Sequence, residues 1–144
     1  LDKTALEEYD ALVMERADLS KRITKIKHKL RELAGTVVAD SVEGTREDGT
    51  YGPIKIKGLP LPAYDQEARR LRKQETRYKI LQLEISAQTE AIEEFIETVE
   101  SPQIRTILRM RYIDRAPWEK ISRRFGRSRD WARKSVDNFW RDCP

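Results

Sequence analysis

A chain of 144 residues and 16.9 kDa has room for one domain, or for one small domain on an extended arm. Its charged content of 38% equals its hydrophobic content, which argues against a single compact core and fits long amphipathic helices that bury one stripe each. The single Cys143 excludes an intramolecular disulfide, and the one histidine has no Cys or carboxylate cluster beside it, which argues against a metal centre.

The chain opens at Leu1, which points to a few leading residues, an initiator Met among them. Residues 2–34 contain no Gly or Pro, and Ala5, Tyr9, Leu12, Arg16, Leu19, Ile23, Ile26, Leu30 and Leu33 recur at alternating spacings of four and three. That heptad seam predicts a long coiled-coil helix, with Thr4 and Glu7 as its capping box. His28 lies off the seam and reads as a surface residue.

Gly35 is expected to end this helix. Residues 35–62 then change character: Thr36-Val-Val and Tyr51 to Lys57 are strand-like, and Glu43 to Gly49 carry turn chemistry. A small two-stranded tip is expected here, and a plain loop joining two helices meets the same residues. Gly44 and Gly49 lack the Gly-Lys-Ser/Thr of a phosphate loop.

Residues 63–100 repeat the three-four spacing through Leu71, Gln74, Tyr78, Leu81, Ile85, Gln88, Ile92, Phe95 and Val99. Buried Gln74 and Gln88 would fix the register at some cost in stability. The expected architecture is mainly α: an antiparallel coiled-coil helical hairpin over residues 1–100, followed by a separate C-terminal domain over 101–144. A homo-oligomer paired through the same seams is the alternative. The run Arg69-Arg70-Leu71-Arg72-Lys73 could touch DNA, but beside Glu67 and Glu75 it reads as a solvated helix face. Residues before Ser101 hold seventeen basic and twenty acidic groups, so the arm reads as neutral overall.

From Ser101 onward three short helices are expected. Ser101 caps the first and Pro102 starts it, and Ile104, Ile107, Leu108 and Tyr112 form its apolar face. Pro117 separates it from a second helix faced by Trp118, Ile121 and Phe125. Gly126 closes that helix in the left-handed conformation. Ser128 caps the third helix, with Asp130 in its first turn and with Ala132, Val136, Phe139 and Trp140 on its buried side. Two helices joined by a short glycine turn behind a supporting helix spell a helix-turn-helix. Its third helix would enter the major groove of double-stranded DNA. The base-reading candidates are Arg129, Asp130, Arg133, Lys134 and Asp137. The phosphate candidates are Arg111, Arg123, Arg124, Arg127 and Ser128, with Arg105 and Arg109 near that face. Twelve Lys/Arg against five Asp/Glu in this segment supply the charge that phosphates attract.

The stretch LRMRYIDRAPWEKISRRFGRSRDWARKSV resembles region four of bacterial sigma factors. More closely, it resembles the small sigma-region-four-like regulators encoded by phages and prophages of Gram-positive bacteria. Leu108, Arg111, Tyr112, Trp118, Ile121, Gly126, Ser128, Arg129 and Arg133 carry the pattern. Ser122 stands where Ala is usual, Ala132 where Val is usual, Asp130 for Glu and Lys134 for Gln. The resemblance implies a sequence-specific activator of phage late genes that binds promoter DNA, contacts the host RNA polymerase and works in the bacterial cytoplasm. A small-terminase-like DNA-packaging protein and a purely structural coiled coil are the alternatives. No enzyme chemistry, cofactor or metal is expected, and no apolar run approaches the ~20 residues of a membrane span.

Overall fold

The computed structural model describes residues 1–39, 41–45, 51–55 and 61–143. The chain is mainly helical, in the order α1 (Lys3–Ala39), β1 (Ser41–Thr45), β2 (Tyr51–Lys55), α2 (Leu61–Thr98), α3 (Pro102–Leu108), α4 (Trp118–Arg124) and α5 (Trp131–Asp142). A single π-helical turn, Arg109–Ile113, follows α3 directly. Among the described residues no helix is long and apolar enough to cross a membrane.

Local chemistry accounts for most element ends, and three differ from expectation. Asp2, not Thr4, caps α1: its carboxylate accepts the Ala5 N–H at 2.9 Å, and a negative charge suits the positive end of a helix. Gly35 does not end α1, which continues through Thr36–Val38 to Ala39. A mid-helix Gly costs about 1 kcal/mol relative to Ala, and the three β-branched residues that follow it are no better suited to a helix. The strands therefore start later than expected, and Glu43, Gly44 and Thr45 belong to β1 rather than to a turn. β1 and β2 pair antiparallel, with Ser41 opposite Lys55 and Thr45 opposite Tyr51. The expected turn residues 46–49 and the strand end at Ile56 and Lys57 lie outside the described residues. α2 begins at Leu61 with Pro62 in its first turn, where the missing N–H costs nothing.

The chain divides into two compact units, and not at residue 100. Unit 1 comprises Leu1–Glu15 with Leu81–Pro144, and unit 2 comprises Arg16–Ile80. The expected C-terminal segment, residues 101–144, falls in unit 1 together with parts of both long helices. It shares one hydrophobic core with the ends of both long helices. Leu6 and Tyr9 of α1 and Ile85, Ile92 and Ile96 of α2 join Ile107, Leu108, Tyr112, Ile121, Ala132 and Val136 in that cluster. Each fully buried Ile or Leu contributes roughly 1.5–3 kcal/mol. Phe95 of α2 stacks on Trp140 of α5 with centroids 5.5 Å apart. The Tyr9 hydroxyl lies 3.1 Å from Thr89 Oγ1, so this seam tyrosine keeps a polar partner inside.

In unit 2 the two long helices pack against each other and run antiparallel. Lys29 of α1 meets Glu67 near the start of α2, whereas Ser20 and Thr24 share a groove with Tyr78 and Lys79 further along it. Leu19 is buried, while Ile23, Ile26, Leu30 and Leu71 are half-buried. Gln74 and, in unit 1, Gln88 are likewise half-buried, so neither carries the full cost of a buried amide. Among the described residues of unit 2, the buried polar one is Glu67. The neutrality of the arm also dissolves. Residues 1–15 and 81–100 hold eleven Asp/Glu against one Lys, whereas residues 16–80 hold sixteen Lys/Arg against nine Asp/Glu.

Candidate nucleic-acid interface

α3 starts as its sequence dictates. Ser101 Oγ accepts the Ile104 N–H at 3.3 Å, and Pro102 takes the first helical position. Two residues after the π-helical turn, Arg115 lies in the left-handed region at φ 60°, and the Ala116 N–H reaches back to the Met110 carbonyl at 2.9 Å. Pro117, extended at φ −69° and ψ 149°, then leads into α4. Gly126 closes α4 at φ +66°. The Arg127 N–H bonds the Ser122 carbonyl and the Gly126 N–H bonds the Arg123 carbonyl, both at 2.9 Å. Those two bonds are a Schellman motif, which satisfies helix-end carbonyls and turns the chain sharply.

The turn is pinned from the side by a residue that sequence reasoning passed over. Ser122 is fully buried. Its Oγ accepts the Ala132 N–H and donates to the Arg129 carbonyl, each at 3.0 Å. A hydroxyl on α4 thus caps α5. Asp130, the residue at the N-cap position, makes no side-chain cap bond. Ser128 is not the cap either, since its carbonyl accepts the Trp131 N–H in a tight turn just before the helix. α5 therefore begins at Trp131, and Asp130 precedes its first turn. The only signal in the sequence was a polar residue on an otherwise apolar face.

The buried side of α5 is as the spacing predicts. Ala132 and Val136 are buried, and Phe139 and Trp140 pack against the core. Arg129, Asp130, Arg133 and Lys134 are exposed together at its start. Their ion pairs are loose: Arg133 to Asp130 at 3.7 Å and Arg129 to Glu119 at 4.0 Å. Exposed pairs of this kind contribute at most about 1 kcal/mol, so the guanidinium groups are readily released to another acceptor. Arg123 pairs with Glu119 at 3.2 Å, and Arg127 lies over the Trp131 ring at 5.5 Å. Arg124 and Lys134 have no ion-pair partner among the described residues. This end of the molecule therefore presents six cations against Glu119 and Asp130.

Four of the expected residues are engaged elsewhere. Asp137 is half-buried and its carboxylate lies 3.2 Å from Lys3 Nζ, which ties α5 to the start of α1. The Arg111 guanidinium is held within the fold. It stacks over Trp118 at 4.9 Å, donates to the Ala116 carbonyl at 3.3 Å and meets Asp10 at 3.4 Å. Arg105 donates to the Val99 and Glu100 carbonyls beyond the end of α2, at 2.7 and 3.2 Å. Arg109 pairs with Glu97 at 2.8 Å. Asp10 also receives Arg115, so one α1 carboxylate braces the segment leading into α4 from two sides. Beside it, burial pushes the Tyr112 hydroxyl up to about 12, and the nearby charge of Asp10 adds to the shift. Among the described residues no three His, Cys, Asp or Glu side chains converge as metal ligands. Compared with protein-family models, curated proteins and solved structures, the chain matches none.

Proposed function

We propose that the chain is a sequence-specific regulator of transcription, binding promoter DNA through a helix-turn-helix formed by α4, the Gly126 turn and α5. The observation that carries this reading is the exposed set Arg129, Asp130, Arg133 and Lys134 at the start of a helix fixed by Gly126 and Ser122. A reading helix needs its N-terminal side chains held to a narrow range of positions while they stay open to solvent. Arg133 lies in the first turn of α5 and Arg129 in the turn just before it, so the two do not share a helical face as the spacing predicts, but both are exposed and suited to guanine acceptors in the major groove. Asp130 can accept from a cytosine amino group or brace Arg133. Arg123, Arg124 and Arg127 are the phosphate contacts in this reading, while Arg111 and Asp137 act as internal braces. Contact with host RNA polymerase and activation of phage late genes rest on the resemblance to sigma-region-four-like regulators.

The test is a binding-site selection with variants. Arg133→Ala relaxes preference at particular base pairs, by a margin equivalent to ~1–3 kcal/mol. Arg124→Ala weakens all sequences about equally. A selected motif unchanged by Arg133→Ala would remove α5 as the reader.

A further inference from the structure

In unit 2 one groove between the helices is lined by more basic residues than the other. Lys21, Lys25 and Lys29 recur every four residues along α1, and Arg70 and Lys73 lie three apart on α2, so each set lines one side of its helix. Between the helices runs a groove of about 240 Å³, lined by Arg22, Lys25, Lys29 and Arg70 beside Glu67. Glu67 is only 6% exposed, and its carboxylate lies 3.1 Å from Lys29 Nζ and 3.7 Å from Arg70 Nη1. One buried acid thus holds two cations at the rim of the groove. Lys21, Lys25 and Lys73 are exposed and have no ion-pair partner among the described residues. Arg22 pairs with Asp18 at 2.7 Å on the same helix, so the face carries its own counter-charges at Asp18 and Glu67, and its cations outnumber them. The groove on the opposite side differs, with Lys27 and Lys79 set among Ile23, Tyr78 and Glu75.

We propose that the face carrying Lys21, Arg22, Lys25, Lys29, Arg70 and Lys73 is a second DNA-binding surface, which grips the phosphate backbone of a duplex without reading its bases. This rests on the reading of the chain as a DNA-binding protein. Composition favours a duplex over a protein partner. The centres of protein interfaces are apolar and depleted in Lys, and the large hydrophobic side chain exposed in the described part of unit 2 is Ile80, off this groove. Surfaces that meet DNA are polar and strongly positive.

The experiment measures binding of the full chain to a short labelled duplex of scrambled sequence, as a function of salt. Each lost phosphate contact lowers the slope of log affinity against log salt by about 0.9. Lys21→Gln, Lys25→Gln and Lys73→Gln together should therefore flatten it by roughly 2–3. Helicity, sedimentation and the motif chosen in site selection stay as in the unaltered chain. Lys27→Gln with Lys79→Gln, on the other groove, leaves the slope nearly unchanged. An unchanged slope in the triple variant overturns the proposal, as does an equal loss from the control pair. A loss that accompanies dissociation of a dimer in sedimentation also overturns it, and assigns the face to a second copy. If Arg133→Ala leaves the selected motif intact while the triple variant still flattens the slope, the reading of α5 fails and this surface stands. A chain that binds no duplex at low salt sinks both.

Discussion

α1 and α2 carry a three-four apolar repeat through both units, and its fate differs between them. In unit 1 the seam residues Tyr9, Ile85 and Ile92 are buried in a cluster that also draws in α3, α4 and α5. In unit 2 Ile23, Ile26, Leu30 and Leu71 stay half-open. The same periodicity therefore yields a core in one place and a stripe in the other. Spacing says which side of a helix is apolar, whereas burial depends on how many elements meet there. Polar chemistry divides in the same way. Unit 1 places the hydroxyls of Tyr9 and Ser122 against inner partners, while the buried polar group described in unit 2 is a carboxylate, Glu67, held by Lys29 and Arg70.

Truncating one apolar side chain in each unit breaks the comparison most directly. Ile96→Ala, in the core of unit 1, should cost about 3–4 kcal/mol through lost burial and the cavity left behind. Ile26→Ala, in unit 2, should cost about 1 kcal/mol, since much of that side chain already meets water. Denaturant unfolding followed by circular dichroism reads both, and equal losses would show that the added helices of unit 1 contribute little.

Alkaline unfolding sharpens the same contrast. The folded-state value of Tyr112 is raised from 10.0 to about 12. Its contribution is therefore fully present below pH 10 and is lost as pH rises towards 12. A shift of that size amounts to roughly 2–3 kcal/mol. Tyr112→Phe, which cannot ionise, should lose less stability across that window. Parallel pH profiles for the two proteins would rule the tyrosine out as the source.

Within unit 1 the smallest expected change is at Ser122. Ser122→Ala leaves the Ala132 N–H and the Arg129 carbonyl without their shared partner, at a cost of about 1–2 kcal/mol. Hydrogen exchange should report faster opening at the start of α5, with the helix pair of unit 2 unaffected. Uniform acceleration across both units would mean that this hydroxyl supports the whole fold rather than one turn.

Much of this was legible in the chain. Gly126, Ser101 with Pro102, and the apolar sides of α3, α4 and α5 follow from local rules that tertiary contacts did not override. What escaped has one physical character, because it depends on which distant residue arrives. Ser122 read only as a residue standing where Ala is usual until Ala132 and Arg129 stood beside it. Arg111 read as a surface cation because neither Asp10, a hundred residues away in the chain, nor the stacking on Trp118 is visible locally. The charge of the arm averaged to nearly zero because two oppositely charged segments were summed along the chain.

The division of the chain also sets what loop closure its folding requires. Unit 1 is assembled from segments on either side of Arg16–Ile80, so its core requires closing that whole stretch into a loop, at an entropic cost of about 4 kcal/mol. The helix pairing inside unit 2 joins residues closer in sequence and can form first, bringing the two flanking segments towards each other. On a ribosome the difference is sharper still, because Leu6 and Tyr9 are made long before Ile121 and Val136. The apolar side of the first fifteen residues can meet Ile85, Ile92 and Ile96 of α2 as soon as these are made, but its core is complete only when the last helices arrive.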